Sequence, residues 1–328
     1  MMINEFQPFI GQHCETTATG CLLKHMGLYL SEPLLFGVGQ GLGFIYWDMK
    51  SMDFPFIGGR IKPDMITDNL AKNLGLNLEV KETSSVKIAW RNVKEQIDSG
   101  KPVGLKLDSY YLDYFTSKIH FAGHYVAMYG YDDSYAYLVD TKQQGSMVKV
   151  TLENVEQARN AKGPMSSRNK SYVITGGKPE PDLKKVIRCA IKANAIDFLN
   201  PPIKNIGCKG IEKASVEVKK WLSRSNDQKN DVALAGFLME RAGTGGALFR
   251  NLYRDFLQES LGILGSENGN LDEGYKMFAE IASLWTEVSA LIIKAGETQE
   301  QIYLDEASGI MADLAKREKA AMGILAAS

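Results

Sequence analysis

Gly123-His124-Tyr125-Val126-Ala127-Met128-Tyr129-Gly130-Tyr131-Asp132-Asp133-Ser134-Tyr135-Ala136-Tyr137-Leu138-Val139-Asp140 reads as a β-hairpin. Two apolar, tyrosine-rich runs flank Asp132-Asp133-Ser134, a cluster of turn formers. Counted outward from that turn, His124 pairs within one or two residues of Asp140, so the carboxylate can reach the imidazole across neighbouring strands. Val103, Leu105 and Leu107, then Val148 and Val150, then Tyr172, Val173 and Ile174 predict further strands around this hairpin.

The strand-forming half ends at Gly176-Gly177-Lys178-Pro179-Glu180-Pro181-Asp182, where glycine and proline interrupt any regular element. Beyond it the spacing becomes helical: Ile187, Ile191, Ala195, Phe198; Leu248, Leu252, Phe256; Tyr275, Phe278, Ala282, Trp285; Tyr303, Ala307, Ile310, Leu314. Asn200-Pro201-Pro202 closes the first of these helices. The chain is therefore expected to be α+β, with residues 1–177 as one domain and an all-α domain over 178–328.

Composition narrows the classes of function. The 328 residues are 45% hydrophobic, with 38 basic against 39 acidic residues. That balance excludes collagen-like, disordered and strongly basic nucleic-acid-binding proteins. The longest uncharged stretch, Pro33 to Trp47, is glycine-broken and too short for a bilayer, which needs about 20 apolar residues. Met1-Met2-Ile3-Asn4-Glu5 lacks the pattern of a secretory signal, and four cysteines in a chain this long make no disulfide framework. A reduced, cytoplasmic protein is expected, with no nucleic-acid or membrane partner. Charge divides unevenly in the helical half: residues 178–229 hold 12 Lys/Arg against 6 Asp/Glu, and residues 253–328 hold 6 against 13.

Several motifs fail on inspection. Gly37, Gly39, Gly41 and Gly43 miss the dinucleotide pattern at Leu42 and Phe44, Gly243-Thr244-Gly245-Gly246 fails likewise, and no Gly-Lys pair precedes Ser or Thr. Cys14, Cys21, Cys189 and Cys208 form no C-x-x-C pair, and the H-x-x-x-H spacing of His120 and His124 stands alone, without the glutamate of a zinc protease, so a metal site is not expected.

Cys14 survives. Ala18, Cys21, Leu22 and His25 lie on one helical stripe with Gly27 just past its end, so Cys14 stands at a helix N-terminus, where the dipole favours the nucleophilic thiolate. Such a nucleophile needs a base, and the base an orienting partner; His124 and Asp140 supply both, in the chain order of papain-like enzymes. Cys21, about 10 Å down the axis, reads as core, and His25, about 16 Å away, is too far to serve Cys14. His120 is the rival base, and His13 reads as a local structural or substrate-contact residue.

Gly11-Gln12-His13-Cys14, Leu30-Ser31-Glu32-Pro33-Leu34-Leu35-Phe36-Gly37-Val38-Gly39, Phe56-Ile57-Gly58-Gly59-Arg60, His120-Phe121-Ala122-Gly123-His124-Tyr125 and Gly130-Tyr131-Asp132-Asp133 together resemble the butirosin biosynthesis protein H family. The helical half, at Ile206-Gly207-Cys208-Lys209-Gly210-Ile211 and Glu240-Arg241-Ala242-Gly243-Thr244-Gly245-Gly246-Ala247-Leu248-Phe249-Arg250, is similar to the domain of unknown function that follows it in that family.

The resemblance implies a papain-like N-terminal domain and an acyltransferase that moves an acyl group from a carrier-protein thioester to an amine, in antibiotic biosynthesis. It supports Cys14 as nucleophile, His124 as base and Asp140 as orienter; a cysteine peptidase or amide hydrolase with the same three residues is the alternative. No cofactor is expected beyond the phosphopantetheine of the acyl carrier protein, with a small-molecule amine as acceptor and a homodimer left open as the assembly. Where papain-like enzymes place an oxyanion-hole glutamine this chain has Pro8, which leaves Gln7 and Gln12 as candidates. His13, Arg60, Arg241, Thr244 and Arg250 are the candidate substrate contacts, and the segments Ser31–Gly43 and Gly58–Arg60 either line an acyl channel or serve packing.

Overall fold

A computed structural model describes the chain except residues 50, 51, 117, 164, 177–180, 226 and 266–268. Most of the expected linker, residues 177–180, thus lies outside the described residues. Along the chain run α1 (Cys14–His25), α2 (Glu32–Val38), β1 (Leu42–Trp47), β2 (Phe56–Arg60), α3 (Met65–Leu74), β3 (Asn77–Lys81), α4 (Val86–Asp98) and β4 (Val103–Leu107). Next come β5 (His124–Tyr131), β6 (Tyr135–Val139), β7 (Met147–Thr151), α5 (Leu152–Asn160) and β8 (Ser171–Thr175). The remainder is helical: α6 (Leu183–Leu199), α7 (Gly207–Glu217), α8 (Trp221–Arg224), α9 (Gln228–Arg241), α10 (Arg250–Leu264), α11 (Gly269–Thr298) and α12 (Gln301–Ala326).

The chain forms two compact units, one of Met1–Leu35 with Pro63–Pro181, the other of Phe36–Lys62 with Asp182–Ser328. Where the sequence suggested one cut near residue 177, residues 36–62 group with the helices. The cause is local to that segment: Asn194 Nδ2 donates to the Leu42 carbonyl (2.8 Å), and Tyr46 N–H donates to the Asn205 carbonyl (2.8 Å). Strand β1 therefore finds partners on α6, on the connection at Asn205 and on α7.

The first unit is built on an antiparallel six-stranded sheet in the order β3-β8-β4-β5-β6-β7. Every residue of β4 and all but the last of β5 are buried, as central strands covered on both faces require. Helix α1 packs on β5, with Ala18, Cys21 and Leu22 buried and Gly20 so close to the Phe9 ring that a Cβ there would sit 2.6 Å from it. Gly27, at φ +84°, lets the chain leave the helix.

In the second unit α11 and α12 form the long helical pair around Trp285, Met311 and Leu314. The helical reading of Leu248 does not hold. Residues 245–249 all have positive φ, and α10 begins only at Arg250. Non-glycine residues in that region each cost roughly 1–2 kcal/mol. The turn is held by Thr244 Oγ1, which accepts from Gly246 N–H (3.1 Å), by Glu240 Oε1, which accepts from Ala247 N–H (2.9 Å), and by Phe249 stacked on Phe36.

Candidate active site

Cys14 opens α1 directly after an extended His13 and is 9% exposed. At the first helical position its N–H has no acceptor within the helix. His124 opens β5, and Asp140 follows the last residue of β6; both are buried. His124 Nε2 lies 2.7 Å from Asp140 Oδ2, and the Cys14 side chain acts electrostatically on the same imidazole. Because Asp140 takes Nε2, the ring nitrogen left for Cys14 is Nδ1.

A β-bulge makes this meeting possible. Near the turn Tyr131 pairs with Ala136 and Gly130 with Tyr137, whereas farther out Met128 pairs with Leu138 and Ala127 with Val139. Tyr129 is the extra residue. The outer register, continued by one step, sets Asp140 against Val126, which shares a face with His124. Without the bulge Asp140 would oppose Ala127, and His124 would point to the other side of the sheet.

Burial alone pushes the imidazole toward its neutral form and is the largest influence on it. The charges of Asp140 and Cys14, with the hydrogen bond to Asp140, together outweigh burial and raise His124 to about 10. Asp140 is fully enclosed by donors: Oδ2 also accepts from the Tyr114 hydroxyl (2.6 Å), and Oδ1 accepts from Thr141 N–H (2.6 Å). The Phe115 ring stands edge-on to His124, with centroids 5.0 Å apart. Tyr114 and Phe115 belong to the connection from β4 to β5, whose two ends are tied at Asp108. Its Oδ1 accepts from Tyr110 N–H (3.1 Å) and Phe121 N–H (2.9 Å), and its Oδ2 pairs with His120 Nδ1 (2.9 Å). His120, the rival base, is thereby engaged at the loop's foot, with its side chain 63% exposed.

The segment ahead of Cys14 is fixed by Glu32, which the sequence reading passed over. Its carboxylate accepts from Gln12 N–H (2.8 and 2.9 Å), His13 N–H (2.8 Å) and the Thr16 hydroxyl (2.9 Å). A Cβ on residue 11 would lie 2.6 Å from Glu32 Oε1, which explains Gly11. The signal available in the sequence was the run Gly11-Gln12-His13-Cys14 with an acidic residue at 32.

The other candidates fall in several places. Gln7 and Gln12 carry exposed residues, and Gln12 gives its backbone N–H to Glu32. His13 is buried, and its carbonyl accepts from the Thr16 hydroxyl (3.0 Å) and Thr17 N–H (2.9 Å). Cys21 exchanges hydrogen bonds with the Phe9 backbone, and burial pushes its thiol up to about 12.

Arg60 ends β2 in the second unit, where Nη1 donates to the Ile61 carbonyl (3.4 Å). Arg241 is exposed at the end of α9. Thr244 and Arg250, expected as substrate contacts, are instead buried and committed. Thr244 donates to the Met239 carbonyl (2.9 Å). Arg250 forms two hydrogen bonds to Glu318 (2.9 and 2.8 Å), and its guanidinium lies over Phe44 and Trp285. The glycines of the expected channel segments pack as well: a Cβ at Gly37 would lie 2.0 Å from the Phe256 ring, and one at Gly59 2.2 Å from the Leu248 carbonyl oxygen.

Among the described residues no group of three or more His, Cys, Asp or Glu is placed to hold a metal ion, and no helix is long and apolar enough to cross a membrane.

A cysteine at a helix start packed on an antiparallel sheet, with histidine and aspartate brought together at the end of two of its strands, places the site in a mixed helix-and-sheet unit that a helical region follows in the chain. Residues 13–141 match the model described as butirosin biosynthesis protein H, N-terminal, and residues 153–325 match the domain of unknown function (DUF4872). The chain belongs to this butirosin biosynthesis protein H-like family. A crystal structure from Bacillus anthracis described as a C39-like peptidase is similar at a TM-score of 0.38 and 19% identity, over 54% of this chain and 98% of that one. No protein with a curated description matches.

Proposed function

We propose that the protein is an acyltransferase in which Cys14 is the nucleophile, His124 the proton carrier and Asp140 the group that orients it. The observation that carries this reading is the buried imidazole that hydrogen-bonds Asp140 and feels the charge of Cys14 at the start of α1. An imidazolium beside sulfur is the setting in which cysteine acts as a nucleophile. Sulfur attacks the carbonyl of an incoming thioester, the carrier's sulfur leaves with a proton from His124, and an S-acyl enzyme remains. An amine then attacks the new thioester, His124 takes its proton, and the C–S bond to Cys14 breaks. The N–H of Cys14, unengaged within α1, is one donor for the oxyanion of both steps.

An acyl carrier protein, presenting its acyl group on phosphopantetheine, is the donor that the family likeness supports. Lys184, Lys185, Lys219 and Lys220 are exposed on the basic part of the helical half and suit an acidic carrier, although Lys220 already pairs with Glu217 (2.9 Å).

The test loads the full-length protein with a carrier-bound or N-acetylcysteamine thioester, then adds amino sugars, polyamines and amino acids and follows products by mass spectrometry. The expected result is acylation confined to the Cys14 peptide and an amide with one class of amine. Free acid released at one rate whatever the amine would replace transfer with hydrolysis, and acylation of Cys189 in place of Cys14 would remove the nucleophile.

A further inference from the structure

We propose that Tyr114 is a positioning residue that sets how tightly His124 holds its proton, acting through Asp140. The inference rests on the reading of Cys14, His124 and Asp140 given above. Tyr114 and His124 converge on a single oxygen: the phenol lies 2.6 Å and Nε2 2.7 Å from Asp140 Oδ2, while Thr141 N–H occupies Oδ1.

A carboxylate oxygen that accepts from two donors offers less negative charge to each, so the phenol draws off part of the pull that Asp140 exerts on the imidazolium. Burial first, then the charge of Asp140 and the hydrogen bond to it, push the Tyr114 phenol well above its ordinary range. It therefore stays a neutral donor while His124 titrates. Among the described residues, the charged or titratable groups that face His124 are Asp140 just past β6, Cys14 from α1 and, through Asp140, Tyr114; Phe115 contributes an apolar ring edge. A second consequence is positional. The connection that carries Tyr114 is pinned at Asp108, so the phenol is delivered to Asp140 by a loop with a fixed base rather than by a free tip.

The experiment follows the His124 imidazole by NMR over a pH titration of the full-length protein, as the parent, as Tyr114→Phe and with 3-fluorotyrosine at position 114. Removing the phenol should return charge to Asp140 and move the pH of proton loss up by about half a unit. The fluorinated ring, a stronger donor of nearly the same shape, should move it down. A role limited to filling space would leave the fluorinated protein at the parent value, and equal midpoints in all three proteins overturn the proposal. Asp140→Asn separates the two readings. If His124 ignores that change as well, the three-residue site itself is wrong; if it responds to Asp140→Asn but not to Tyr114, only the present proposal falls.

Discussion

Asp140→Asn keeps the shape of the side chain and removes its charge, and the surroundings of Asp140 dictate the consequences. The carboxylate is wholly buried and meets three donors: His124 Nε2, the Tyr114 hydroxyl and Thr141 N–H. An amide has one acceptor and one donor end. With its oxygen toward His124 and Tyr114, its NH2 meets Thr141 N–H, donor against donor, at a cost of roughly 1–3 kcal/mol. With the oxygen toward Thr141, the NH2 faces Nε2, which must give up its proton to accept. The ring then carries its proton on Nδ1, where the sulfur of Cys14 should be deprotonated.

Either orientation also removes the charge that, with Cys14, lifts His124 to about 10, while the burial that acts downward remains. The imidazolium is consequently lost as pH rises through a lower value than in the parent. A folded variant with the wrong tautomer typically loses on the order of 10^3 to 10^4 in rate. The assay is single-turnover acylation of Cys14 from a small thioester at neutral pH, paired with thermal unfolding to show that the variant is folded. An Asp140→Asn protein that is folded and acylates Cys14 within a factor of about ten of the parent would refute the reasoning.

Two further outcomes are expected. Because His124 in the folded chain is raised above its unfolded value, its protonation contributes stability that is fully present below about pH 6.5 and is lost as pH rises through about 10. Urea unfolding of the parent should therefore lose ground to His124→Gln between those limits, and a constant difference across the range would count against the raised value. In the helical unit, Arg250→Met leaves the Glu318 carboxylate buried with Trp285 Nε1 as its remaining donor partner. The single change should cost about 3–5 kcal/mol, and the paired change with Glu318→Leu less, as read from denaturant midpoints; a paired variant less stable than the single one would contradict that account.

What could be read from the sequence was what local rules encode. The hairpin around Asp132-Asp133-Ser134, the helix that begins at Cys14 and the central strands announced themselves through alternation, turn residues and caps. The excursion of residues 36–62 into the helical unit did not, because glycine and proline mark where a chain can turn but not which distant partners it finds. Leu248 matched a helical stripe and still lies outside the helix, since Glu240, Thr244 and Phe36 hold residues 245–249 in a left-handed path that periodicity cannot register. The same limit explains Arg250. It was a candidate substrate contact, while its partner Glu318 is 68 residues away.

At the candidate site the three principal residues were legible by type and order, whereas the features that fix them were not. The bulge at Tyr129 shifts the hairpin by one residue and thereby decides which face His124 occupies, yet its sequence differs little from an unbroken strand. The two supporting acids divide a task that the positive end of α1 makes necessary. Glu32 brings a negative charge to that end, where it would compete with an anionic sulfur for the same field. It does so by binding the N–H groups of Gln12 and His13, which precede the helix, and not the N–H of Cys14. Asp140 works from the opposite side of the imidazole and makes no hydrogen bond to α1. Thus one carboxylate fixes the backbone that presents the sulfur, and the other fixes the imidazole of His124. That separation allows Cys14 to sit at a helix terminus already occupied by an anion.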